Sequence, residues 1–177
     1  TYGGIEHRVS DDVMAAKRII TAPGCDEVLR FTFETAKRMG IDLVHCSHKA
    51  NIMKMTDGLF LERFKAIAAE YPGIQTGDVI IDALCMNLVM KPQQYKMVVL
   101  TNLQGDIVSD LAAGLVGGLG FAPSANIGTN TPAAICSLMV RPLRMAPIGC
   151  AACLVGLGLV VFAIRAVRWG RWWGDQR

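Results

Sequence analysis

Tryptophan is missing from the first 168 residues; all three, Trp169, Trp172 and Trp173, crowd the end of the chain. Lysine is missing from the other part. Residues 131–177 hold six Arg, one acidic residue and no Lys, whereas residues 1–130 hold seven Lys and five Arg against fourteen Asp and Glu. The net charge of +3 therefore averages a faintly acidic body with a basic tail. Such a shift of composition within one chain marks a change of origin or environment.

A signal-peptide pattern is also lacking, and the six cysteines, Cys25, Cys46, Cys85, Cys136, Cys150 and Cys153, are scattered. A disulfide framework is thus not expected, and the body reads as cytoplasmic with reduced thiols. Cys150 and Cys153 form a CxxC with no second pair and no histidines at ligand spacing, so they read as small apolar filler. A phosphate-binding glycine loop is absent too: the glycine-rich run at 114–120 follows a helical pattern instead of linking a strand to a helix. It reads as a helix end and a close-packed turn. With 177 residues, one domain with an appendage fits and two large domains do not.

What is present is a repeated strand and helix pattern. Residues 5–21 alternate around Val9, Val13 and Ile19-Ile20 with Asp11-Asp12 between them, which predicts a hairpin closed by Pro23-Gly24. From Asp26, Val28, Leu29, Phe31, Phe33, Ala36 and Met39 recur at helical spacing, and Gly40 follows as a stop. Three strand and helix units come next: 43–46 into 59–70, 79–81 into 84–89, and 97–100 into 107–116. This alternation predicts an α/β fold with a parallel sheet.

Ligands on such sheets sit beyond the carboxyl ends of the strands. The residues there are Lys49 and Asn51, then Asp82, then Asn102, Asp106 and Asp110. Asp106 and Asp110 share a helix face, where like charges cost about 0.2–0.5 kcal/mol unless a cation lies between them. From spacing alone, a helix-dipole role for Asp106 with a solvated Asp110 is as good a reading as metal binding; Asp82 at a neighbouring strand end tips it toward metal. Three carboxylates suit Mg2+ or Mn2+ rather than zinc. Lys49 and Tyr2 are candidate proton carriers, though taken singly a loop lysine is more often solvated and a tyrosine more often packed. His7, His45 and His48 read as strand or loop residues.

Four blocks carry a family likeness. Tyr2-Gly3-Gly4-Ile5-Glu6-His7-Arg8, His48-Lys49-Ala50-Asn51-Ile52-Met53-Lys54, Asp82-Ala83 and the run from Asn102-Leu103-Gln104-Gly105-Asp106 to Ser109-Asp110-Leu111 resemble the β-decarboxylating dehydrogenases of isocitrate and isopropylmalate in order and spacing. Gly117-Gly118-Leu119-Gly120-Phe121-Ala122-Pro123-Ser124-Ala125-Asn126-Ile127-Gly128 extends the likeness over about the first 130 residues, and the block at Tyr2 resembles the isocitrate branch. The resemblance implies a small α/β domain with a clasp hairpin over 1–130, belonging to the isopropylmalate dehydrogenase-like fold. It implies Tyr2 as the acid that protonates the enol, Lys49 as the proton-transfer partner at the substrate hydroxyl, Asn51 as a substrate or nicotinamide contact, and Asp82, Asp106 and Asp110 as metal carboxylates for Mg2+ or Mn2+. It further implies NAD or NADP as hydride acceptor, isocitrate or a related 2-hydroxy acid as substrate, no nucleic acid, and a homodimer in which Lys49, Asn51 and Asp82 reach into the partner subunit's site. The related enzymes for isopropylmalate, homoisocitrate and tartrate are alternatives, as is a non-catalytic regulatory subunit.

The likeness stops at both ends. The family's upstream segment with its carboxylate-binding serine and arginines is not in the chain, and where a His-Gly-Ser-Ala-Pro adenosine block is due the chain reads Ala134-Ile135-Cys136-Ser137-Leu138-Met139-Val140-Arg141-Pro142. One choice of codons for that block, read one base later, encodes Met-Val-Arg-Pro, the residues Met139 to Pro142. The expectation is an internal fragment, inactive alone, with an atypical and frameshifted tail over 131–177. The rival expectation is a membrane-anchored derivative, because 146–164 is an uncharged run of about spanning length, with Arg165, Arg168 and Arg171 beside the tryptophans as an interfacial flank.

Overall fold

The computed structural model describes residues 6–118 and, beyond them, three short strands at 124–127, 134–137 and 160–163. The chain opens with an antiparallel hairpin, β1 (Glu6–Ser10) and β2 (Val13–Ala16), turning at Asp11-Asp12. Its residues are nearly all exposed, including Val9, Val13 and Met14, so the hairpin stands off the core.

Helix α1 (Ala22–Met39) begins four residues before the apolar periodicity does. Pro23-Gly24 does not close the hairpin arm but forms the helix's first turn. Proline is tolerated there because its missing N–H would have no partner, and Thr21 Oγ1 accepts from Gly24 N at 3.3 Å. Gly40 ends the helix in the left-handed region, φ 67°, where a side chain would be strained.

The three strand and helix units are present. Strand β3 (Leu43–His48) leads to α2 (Thr56–Ala68), β4 (Gln75–Ile80) to α3 (Ile81–Met90), and β5 (Met97–Leu100) to α4 (Asn102–Leu115). Strands β3, β4 and β5 are parallel, with β3 central: His48 stands opposite Ile80, and Cys46 opposite both Asp78 and Val99. Strands β6 (Ser124–Ile127) and β7 (Ala134–Ser137) pair with each other, and β8 (Val160–Ala163) lies parallel to β5, giving the sheet order β4-β3-β5-β8. Four residues of the apolar run at 146–164 are therefore strand; the rest of that run, with Cys150, Cys153 and the three tryptophans, lies outside the described residues. No helix among the described residues is long and apolar enough to cross a membrane.

Two apolar clusters flank the sheet. On one side Leu29, Phe33 and Ala36 of α1 meet Phe60, Phe64 and Ile67 of α2, together with Met97 and Val99. On the other Leu84 and Leu88 of α3 meet Val108 of α4, together with Val98 and Leu100. Alternate residues of β5 point to opposite faces, so this one strand, fully buried, serves both clusters. At the end of α4, Gly117 and Gly118 take positive φ and Gly118 N donates to Ala113 O at 2.7 Å, so the glycine run is a helix end.

Candidate active site

The parallel order β4-β3-β5 brings the ends of three strands to one edge of the sheet. Beyond β3 the chain makes a tight turn, in which Lys49 O accepts from Ile52 N at 3.0 Å and Met53 N at 2.8 Å. Asn51 sits exposed on that turn. His48, buried at the end of β3, braces it: His48 Nδ1 accepts from Ala50 N at 3.1 Å, which leaves the hydrogen on Nε2 to donate to Asp78 Oδ2 at 3.2 Å.

Lys49 Nζ donates to Asp82 Oδ1 in the first turn of α3. The lysine side chain is 23 % exposed and the carboxylate 68 % exposed. The bond from Lys49, with a backbone hydrogen bond beside it, holds the Asp82 carboxyl below the usual carboxylate range, so it is charged at neutral pH. Two residues expected at a shared site, from β3 and β4, are thus in direct contact.

Asp106 and Asp110 lie one turn apart on α4, both exposed and without an ion pair among the described residues. The helix starts at Asn102, so Asp106 belongs to its second turn and gains little from the macrodipole. Among the described residues, no three His, Cys, Asp or Glu side chains gather within reach of one metal ion. One chain therefore presents its carboxylates as two sets, Asp82 beside Lys49 and the Asp106/Asp110 pair. Tyr2 lies outside the described residues. His7, His45 and His48 are strand residues, and Cys25, Cys46 and Cys85 are free thiols. Burial pushes the Cys46 thiol well up, as befits a core residue.

Residues 1–137 match the family model described as isocitrate/isopropylmalate dehydrogenase. The chain belongs to the isocitrate/isopropylmalate dehydrogenase family. Its relatives within that family include the NADP isocitrate dehydrogenase of Thermus thermophilus, 46% identical over 127 residues, covering 72% of this chain and 26% of the relative. The 3-isopropylmalate dehydrogenase of Archaeoglobus fulgidus is 54% identical over 130 residues, covering 73% of this chain and 40% of the relative. The crystal structure of isocitrate dehydrogenase from Methylococcus capsulatus superposes with a TM-score of 0.72 at 47% identity, covering 76% of this chain and 40% of that one. This dehydrogenase-family chain spans between about a quarter and two fifths of these relatives' lengths.

Sequence reasoning missed Asp57. Its side chain is fully buried in the first turn of α2, with Arg18, Lys49 and Gln104 converging on it. An acidic residue at a helix start reads from sequence as an ordinary dipole partner, and nothing local signals partners at positions 18 and 104.

Acid sensitivity follows from the paired groups. Asp26, Asp42, Glu70 and Asp82 are each held below the carboxylate range, first of all by hydrogen bonds from Arg63, Lys96, Arg30 and Lys49 respectively. Burial pushes the His45 imidazole below its ordinary value. In every case the unfolded chain takes up protons before the folded one as pH falls. Stability from these groups is full above the unfolded values and is expected to decline below about pH 6.5 through His45, then further below about pH 4 through the carboxylates. Urea midpoints measured from pH 8 to pH 3 check this; a midpoint that rises between pH 7 and pH 5 would contradict it.

Proposed function

We propose that the chain is part of a cytoplasmic isocitrate dehydrogenase, which oxidises isocitrate with NAD or NADP and decarboxylates it to 2-oxoglutarate. The observation that carries the reading is the Lys49–Asp82 pair at the carboxyl edge of the sheet, a cationic proton carrier set against an exposed, charged metal-type ligand. Lys49, acting as the neutral amine once its ammonium proton has left to solvent, takes the proton from the substrate 2-hydroxyl as the carbon bearing that hydroxyl gives up hydride. Tyr2 returns a proton to the carbon that has lost its carboxylate, and Asn51 on the exposed turn contacts substrate or nicotinamide.

The donor set fits a hard divalent ion: Asp106 and Asp110 present unpaired carboxylates on one helix face, and Asp82 is held charged. With the carboxylates divided in one chain, the reading uses a homodimer in which Asp82 of the partner subunit completes the Asp106/Asp110 pair. The exposed apolar side chains Met86, Val89 and Met90 on α3 and Leu103 and Ile107 on α4 support such a pairing of copies. Bound there, Mg2+ or Mn2+ would neutralise charge that develops on the substrate oxygen.

A second reading, 3-isopropylmalate as substrate, is favoured by the 54% identity to the Archaeoglobus enzyme. The test is a steady-state assay of the protein expressed with its native flanking sequence, using isocitrate, 3-isopropylmalate, homoisocitrate and tartrate, each with NAD and with NADP. Turnover is expected to be highest with isocitrate, abolished by EDTA and restored by Mg2+ or Mn2+. Higher kcat/KM for 3-isopropylmalate would replace the first reading by the second, and turnover unaffected by EDTA would remove the metal from both.

A further inference from the structure

We propose that Asp57 is a positioning residue for Lys49: it holds the turn that carries the lysine from a buried anchor, and Arg18 ties the hairpin arm to the same anchor. The catalytic consequence rests on the dehydrogenase reading; the anchoring itself does not.

Asp57 has none of its side chain exposed. An acid in the first turn of a helix ordinarily caps that helix's own N–H groups. Asp57 instead spends its oxygens on other parts of the chain. Its Oδ2 accepts from Lys49 N at 2.7 Å and from Gln104 Nε2, on α4, at 2.9 Å. Its Oδ1 lies 2.5 Å from Arg18 Nη1, a charge contact without an aligned hydrogen bond. Arg18 Nη2 in turn donates to Thr101 Oγ1 at 2.6 Å, at the junction of β5 and α4.

One carboxylate thus joins the turn after β3, the start of α2, the start of α4 and the arm that follows β2. A buried charge is tolerated only when it is paired and hydrogen-bonded, and all of its partners lie around the Lys49 turn. The backbone of Lys49 is fixed by Asp57 at one end, and its ammonium is met by Asp82 at the other. That leaves the long side chain little room to wander from the strand edge.

The test separates the buried charge from the oxygen that holds the turn. Both N–H groups converge on Oδ2, so an asparagine that puts its oxygen there turns its NH2 toward Arg18, a donor against a donor. The comparison is therefore made with Arg18→Met in both arms. Arg18→Met/Asp57→Asn keeps an acceptor for Lys49 N–H without charge; Arg18→Met/Asp57→Ala has the same net charge and no acceptor. In the protein with its native flanking sequence, amide hydrogen exchange over residues 49–53 is read together with kcat and KM.

The alanine pair is expected to exchange about tenfold faster over 49–53 than the asparagine pair. It is expected to lose about 10- to 100-fold in kcat per folded protomer relative to the asparagine pair, with KM changed by less than about threefold, as a misplaced proton carrier rather than a lost substrate contact would behave. If the alanine pair does not fold, Asp57→Ser, whose hydroxyl is too short to reach the Lys49 N–H, takes its place. Equal kcat in the two arms overturns the positioning role whatever the exchange rates. Equal exchange overturns the anchoring. A wild-type protein that turns over no 2-hydroxy acid sinks the dehydrogenase reading, while the exchange comparison still decides whether Asp57 holds the turn.

Discussion

Replacing Lys49 by methionine is expected to cut kcat by about 10²–10⁴-fold, the range lost with a positioned acid or base, while the protein stays folded. Methionine keeps most of the length and the apolar stem but has no proton to carry. The stability effect should be small, because the partner, Asp82, is 68 % exposed, and exposed ion pairs contribute about 0–1 kcal/mol. Asp82 then loses the main cause of its lowered pKa and returns toward the ordinary carboxylate range. Lys49→Arg should not rescue turnover, since a guanidinium does not give up its proton. Steady-state kinetics beside urea unfolding make the measurement, and a loss in kcat below tenfold with the fold intact would remove Lys49 from the proton path.

Phe33→Ala is expected to lower stability by about 3–5 kcal/mol, the usual cost of truncating a buried aromatic ring. Phe33 is fully buried on α1, its ring stacked 5.6 Å from Phe64 of α2 and 5.0 Å from Tyr71, just beyond that helix. The ring is the contact through which α1 is clamped over α2. Domains are stable by only about 5–15 kcal/mol, so the variant should be partly unfolded at physiological temperature. Phe33→Leu, which keeps most of the volume, should cost less. Urea midpoints of the two variants test this; a change under about 1 kcal/mol for Phe33→Ala would mean that the site collapses around the gap.

The alternation of strands and helices was legible because the strands are short, buried apolar runs, as with Met97–Leu100, bounded by polar turns. The periodicity puts all four helix starts too late. Periodicity shows only where large apolar side chains begin to recur, at Asp26, Leu59, Leu84 and Ile107, whereas the helices start at Ala22, Thr56, Ile81 and Asn102, in first turns made mostly of small or polar residues. The placing of Lys49 and Asp82 at one edge of the sheet followed from parallel strands and the strand-end rule, whereas their ion pair did not. The same rule, and the family likeness after it, grouped Asp82 with Asp106 and Asp110 as metal carboxylates, and among the described residues one chain does not bring the three together. Asp57 was illegible for a different reason: its meaning lies in partners at 18, 49 and 104, and no local spacing encodes a contact between segments so far apart.

The double duty of β5 bears on how the molecule comes apart. Met97 and Val99 belong to one apolar cluster, Val98 and Leu100 to the other. Neither half can loosen without stripping one face of a strand on which the other half depends. The two clusters should therefore behave as a single cooperative unit, with the amides of β5 among the last to exchange with solvent, and a melt that registers one transition where the layout of helices alone would allow two.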